Sequence, residues 1–128
     1  MKKYEIVKEH KEFDSIINND KKLYNKYCTI YYKDSNYEYP RFGVAVGKKV
    51  GNAVIRNRLK RQTRMIITTN KKIFKKNTDY IIIVKRSVLL VDYHTFEKSI
   101  IDLMNRWRYE KENNSSNMYY IIDNDWLY

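Results

Sequence analysis

Between residues 42 and 64 the chain reads Phe42-Gly43-Val44-Ala45-Val46-Gly47-Lys48-Lys49-Val50-Gly51-Asn52-Ala53-Val54-Ile55-Arg56-Asn57-Arg58-Leu59-Lys60-Arg61-Gln62-Thr63-Arg64. The opening of this stretch alternates, with Phe42, Val44 and Val46 on one side of an extended chain and Gly43, Ala45 and Gly47 on the other. That pattern predicts a strand over 41–47 with one smooth face, where a helix crossing the sheet can come close to the backbone. Gly47 to Asn52 reads as a loop, and Asn52 as the N-cap of a helix. From Ala53 to Thr68 the apolar period is helical. With Arg56 at zero and about 100° per residue, Ile55, Leu59 and Ile66 gather near 260–300°. Lys60, Arg64, Asn57 and Arg61 spread from about 40° to about 140°, and Arg58 falls on the flank near 200°. One side of this helix belongs to a core; the other presents cations.

Working outward, residues 9–18 predict a short helix with Phe13, Ile16 and Ile17 on one face, ended by Asn18-Asn19-Asp20. Residues 26–33 predict a strand rich in Tyr, Thr and Ile. Alternation sends Tyr27, Thr29 and Tyr31 to one face and Cys28, Ile30 and Tyr32 to the other. Asp34-Ser35-Asn36 is turn chemistry, and Pro40 marks a strand edge. Ile81-Ile82-Ile83-Val84 is a continuously apolar strand of the kind covered on both faces. Phe96, Ile100, Leu103 and Trp107 define one face of a helix over 93–107. A polar linker, Lys111 to Asn117, leads to an aromatic, mildly acidic tail from Met118 to Tyr128. The organisation is therefore one domain over 1–108 and a C-terminal extension over 109–128. Within that tail Tyr119, Tyr120, Ile121, Ile122, Trp126 and Tyr128 either dock on the domain or extend from it.

The 128 residues carry 26 Lys and Arg against 15 Asp and Glu, a net charge of +11. One domain fits that length. Twelve of the basic residues lie between Arg41 and Lys76, where there is no acidic residue at all. A solvated helix face normally interleaves Glu with Lys and Arg, so a one-signed stretch points to a polyanion. No apolar run approaches the roughly 18 residues of a membrane span, and Met1-Lys2-Lys3-Tyr4-Glu5 does not begin an export signal. The single cysteine, Cys28, reads as a core thiol and fits a reducing, cytoplasmic setting. His10 and His94 have no metal-ligand spacing, and the basic stretch contains neither a phosphate-binding glycine loop nor paired carboxylates. No catalytic side chain and no intrinsic metal site is expected. Thirteen tyrosines and four phenylalanines beside cations suit unpaired bases. The face bearing Tyr27, Thr29 and Tyr31, with Phe13 beside it, is the predicted groove for a single strand.

Lys-Lys-Val-Gly-Asn-Ala-Val (48–54) followed by Arg-Asn-Arg-x-Lys-Arg-x-x-Arg (56–64) closely resembles the signature of the bacterial ribonuclease P protein subunit. Weaker similarity, at Glu12-Phe13, the Tyr31 strand and Asp79-Tyr80, covers most of residues 6–107. The resemblance implies an α+β domain like the second domain of ribosomal protein S5, a central mixed sheet packed with helices and a left-handed βαβ crossover through the basic helix. It implies assembly with a catalytic RNA and removal of the 5′ leader from precursor tRNA, the chemistry residing in the RNA and its magnesium ions. Carried over by position, Arg56, Asn57, Arg58, Lys60, Arg61 and Arg64, with Lys48 and Lys49 in the preceding loop, would face the catalytic RNA. Phe13, Ile17, Tyr27, Thr29 and Tyr31 would line the leader cleft. Two positions depart from the family: Ile17 stands where a second phenylalanine is frequent, and Gly47 where serine is usual. The competing reading is a non-enzymatic RNA-binding protein, such as a ribosomal component; a metal-dependent nuclease acting alone is opposed by the lack of an acidic cluster.

Overall fold

The computed structural model describes residues 1–113. Seven regular elements follow one another: α1 (His10–Asn18), β1 (Lys22–Tyr24), β2 (Cys28–Asp34), β3 (Arg41–Val46), α2 (Ala53–Thr69), β4 (Thr78–Val84) and α3 (Tyr93–Asn113). Single 3-10 turns lie at Lys3–Glu5, Lys71–Ile73 and Arg86–Leu90. The four strands form one mixed sheet in the order β1-β2-β4-β3. β2 runs antiparallel to β1 and β4, while β3 runs parallel to β4, with Gly43 opposite Ile81 and Val46 opposite Val84. Because β3 and β4 are parallel neighbours, the chain must cross over between them, and α2 is that crossover.

The helices pack on both faces. Cys28 and Ile30 of β2, Phe42 and Val46 of β3, and Tyr80, Ile82 and Val84 of β4 form the main core. Leu59, Ile66 and Ile67 of α2 and Phe96, Ile100, Leu103, Met104 and Trp107 of α3 close it from above. Each such side chain contributes about 1.5–3 kcal/mol when fully buried. The opposite face is covered more sparingly by α1, through a cluster of Val7, Ile16 and Ile81 with Phe13, Ile17, Tyr31 and Ile83 half-buried around it. Ile81 and Ile82 point to opposite faces and both are fully buried, so β4 is the doubly covered strand its composition predicts.

Local chemistry sets the element ends. Asn52 caps α2, its side chain accepting from the Ile55 N–H at 3.0 Å. At the other end Asn70 donates to the Ile66 carbonyl at 2.9 Å and to Glu97 at 3.0 Å, fastening α2 to α3. After α1, Asp20 turns the chain with a φ of 59°, a conformation that Asp and Asn tolerate better than most residues. Cys28 is a buried free thiol, and burial pushes its pKa up to about 12.

Two expectations are revised and one strand is added. β1 is a strand that residues 22–24 do not announce. β4 begins at Thr78 rather than Ile81. α3 continues to Asn113, beyond the predicted end at 107 and into the stretch read as linker. Residues 114–128, and with them the docked or extended tail, lie outside the described residues.

Candidate nucleic-acid interface

α2 is positioned by its apolar side. Leu59, Thr63, Ile66 and Ile67 are buried, and the Thr63 hydroxyl is satisfied by the Leu59 carbonyl at 2.7 Å. Ile67 falls near 20° on the wheel, so the buried arc reaches further round than Ile55, Leu59 and Ile66 alone indicate. The exposed arc shifts with it. Asn57, Arg58, Arg61 and Arg64 are exposed, whereas Arg56 and Lys60 are half-buried at its edge. Arg56 also buries its Nε atom. Arg58 is thus a full member of the cationic face rather than a residue of its flank.

Lys48 and Lys49 are exposed in the loop that brings the chain from β3 into α2. Among the described residues, no carboxylate forms an ion pair with Lys48, Lys49, Arg56, Arg58, Lys60, Arg61 or Arg64. The first turn of α2 also contains no acidic residue. Placing Arg56 near a helix N-terminus is unfavourable by itself, because the backbone dipole is positive there. The helix is fixed by its buried side, and the charge of its exposed side is not neutralised by any described carboxylate.

Two members of the basic stretch are consumed internally. Arg41 donates through Nε to Asp79 Oδ1 at 3.0 Å and through Nη2 to Asp79 Oδ2 at 2.7 Å, and Nη2 also reaches Glu12. Hydrogen bonding to Asp79 raises its pKa further above an already high value. Lys71 holds both carboxylate oxygens of buried Glu5 at 2.6 Å. Charge counting along the sequence misses both pairs, because their carboxylates lie outside the basic stretch.

The second surface lies across the sheet. α1 crosses the face that carries Gly43 and Ala45 of β3, Ile81 and Ile83 of β4, and Thr29 and Tyr31 of β2, with the Phe13 ring resting on Gly43. The smooth face predicted for β3 is therefore used by a helix, as expected. Beyond α1, Thr29, Tyr31, Ala45 and Ile83 remain half-buried. The Lys22 ammonium lies 5.7 Å from the Tyr31 ring centre. Phe13, Ile17, Thr29 and Tyr31 are brought together as predicted; Tyr27 is not.

Tyr27 precedes the first residue of β2, in a turn where Asn25 Oδ1 accepts from the backbone N–H groups of Tyr27 and Cys28 at 2.8 and 2.9 Å. Strand alternation does not extend through that turn. The Tyr27 side chain packs toward the main core and borders a separate hollow of about 480 Å³ with Tyr24, Lys85, Ser99, Asp102 and Arg106.

His10 and His94 are both exposed. Among the described residues, no group of three or more His, Cys, Asp or Glu side chains is placed to hold a metal ion. None of the described helices is long and apolar enough to cross a membrane.

The same fold occurs in known proteins. A family model described as Ribonuclease P matches residues 1–108. The ribonuclease P protein component of Mycoplasma mycoides subsp. mycoides is 46% identical over 105 residues, covering 81% of this chain and 96% of that protein. The corresponding component of Streptococcus agalactiae serotype Ia is 35% identical over 104 residues, covering 81% and 94%. Among solved structures, the RNase P protein from Thermotoga maritima superimposes with a TM-score of 0.73 at 29% identity, covering 80% of this chain and 96% of that one. The Staphylococcus aureus RNase P protein shares the fold with a TM-score of 0.72 at 24% identity, covering 79% and 93%.

Proposed function

The chain belongs to the ribonuclease P protein family, which makes it a subunit of a tRNA-processing endonuclease that works with an RNA subunit, and we propose how its two surfaces divide that work. The exposed face of α2, with Lys48 and Lys49, binds the catalytic RNA. The surface formed by Phe13, Ile17, Thr29 and Tyr31 receives the 5′ leader of precursor tRNA. Endonucleolytic cleavage then removes the leader and leaves the mature 5′ end.

One observation carries this reading: an array of cations on α2 unpaired by carboxylates among the described residues, on a helix whose other side is locked into the core. Such an array gains little from folding and much from phosphate. Each phosphate neutralised releases condensed counterions. Arginine suits the task because its planar fork grips phosphate in bidentate fashion. The leader surface offers aromatic and aliphatic side chains and few fixed donors. It would hold an extended strand mainly by stacking, with little sequence preference. Chemistry stays with the RNA and its magnesium ions, and the protein supplies positioning. The buried lone thiol of Cys28 supports a reducing, cytoplasmic setting.

Reconstitution tests the proposal. Added to a matching catalytic RNA at low magnesium, the protein should raise the rate of precursor cleavage; an unchanged rate would overturn it. The assay also separates this role from that of a general RNA-binding protein, which would bind RNA without stimulating cleavage.

A further inference from the structure

α1 carries half of the proposed leader surface, yet little holds it in place. It has nine residues, too few to be stable as a helix alone. Its only fully buried side chain is Ile16. Beside the apolar cluster around Ile16 and Ile81, polar contacts also fix its orientation. Arg41 is only 8% exposed and projects from β3 on the α1 side. Its guanidinium is clamped edge-on by Asp79 of β4, and the Tyr37 ring lies over its face with the ring centre 4.2 Å away. The guanidinium is therefore a rigid post belonging to the sheet. Among the described residues its remaining ion pair is with Glu12, the residue immediately before Phe13. A second, more exposed tie joins Lys33 of β2 to the Ser15 hydroxyl at 2.6 Å.

We infer that Glu12 is a positioning residue for leader recognition: by gripping the Arg41–Asp79 pair it sets the angle of α1 across the sheet, so that Phe13 and Ile17 stand beside Tyr31. The inference rests on the leader surface assigned above. Charge-assisted bonds of this kind are short and directional, which suits them to fixing a register. Glu12 is also the member of the triad that can be changed cleanly. Losing Arg41 or Asp79 would strand a buried charge and threaten the fold, whereas without Glu12 the Arg41–Asp79 pair remains intact.

The test uses the holoenzyme reconstituted with Glu12→Ala, Glu12→Gln and Phe13→Ala proteins. Steady-state cleavage is measured on a precursor with a long leader, and binding is measured for leaderless tRNA and for the catalytic RNA. Glu12→Ala should raise KM for the leadered precursor by about three- to tenfold, with kcat, leaderless-tRNA affinity and catalytic-RNA affinity unchanged. Glu12→Gln, which keeps an oxygen acceptor for Arg41, should restore most of the loss. If Phe13→Ala raises KM and Glu12→Ala does not, the inference is overturned while the leader surface stands. An equal loss by Glu12→Ala on leadered and leaderless RNA would reduce Glu12 to general structural support and overturn it as well. Should Phe13→Ala also leave KM unchanged, the leader surface and the inference fall together.

Discussion

The ring of Phe13 is seated on the bare backbone of Gly43: a Cβ built at residue 43 would lie 2.6 Å from Phe13 Cε2 and 2.7 Å from Ile81 Cδ1. Ile81 is fully buried beneath α1 and has little room to retreat. The seat couples β3, which leads into the basic helix, to α1, which carries half of the proposed leader surface.

Gly43→Ala should therefore lift Phe13 from the sheet. The expected cost is about 1–3 kcal/mol of stability, typical of overpacking, together with weaker binding of leadered precursor. Gly47→Ala is the matched control, since a Cβ there meets nothing within 4 Å; its stability change should stay below about 1 kcal/mol in either direction. Thermal denaturation of both variants checks this, and equal behaviour would show that the seat does not matter.

Acid should loosen the N-terminal segment through Glu5. Burial alone would raise its pKa, but the Lys71 ammonium and the Lys2 backbone N–H hold it below the ordinary 4.5. A carboxylate with a depressed folded-state pKa binds fewer protons folded than unfolded. Its contribution is then fully present above about pH 4.5 and is lost as pH falls through the lower folded-state value. Urea denaturation across pH 2–7 should show this fall in the native protein and a flatter profile in Glu5→Gln. That variant should also be about 1–3 kcal/mol less stable at neutral pH. Parallel profiles would dissociate Glu5 from the acid response.

Cys28 should resist thiol reagents. With its pKa pushed up to about 12, only about one thiol in ten thousand is ionised at pH 8, and the thiolate is the nucleophile. Alkylation at pH 8 should be very slow in the folded protein and fast in denaturant. Fast labelling of the folded form would mean that the strand opens readily.

The sequence is most informative where local pattern and tertiary demand agree. Asn52 caps α2 as its residue type predicts, and Ile81 to Val84 is buried on both faces because nothing in it prefers water. Gly43 and Ala45 announce a close approach, although not that Phe13 makes it. Other features are set by distant partners. β1, with only Lys22, Leu23 and Tyr24, is a strand because β2 offers it an edge, and edge pairing leaves no periodicity to read in three residues. Tyr27 departs from alternation because Asn25 builds a turn before β2 begins. Arg41 and Lys71 look like free cations until Asp79, Glu12 and Glu5 are brought beside them. Arg58 looks peripheral only on a wheel whose apolar side omits Ile67, the residue that widens the buried arc.

The central claim is that the α2 cations serve an RNA rather than the fold. Its most direct test is the salt dependence of catalytic-RNA affinity for the native protein and for Arg58→Ala with Arg61→Ala, beside the unfolding free energy of each. Exposed and free of ion pairs with described residues, the two arginines should cost under about 0.5 kcal/mol of stability each when removed. Affinity should fall at least tenfold, and the slope of log K against log salt should shrink by about 0.7–0.9 for each phosphate no longer neutralised. Unchanged affinity and slope, or a loss of stability matching the loss of binding, would contradict it.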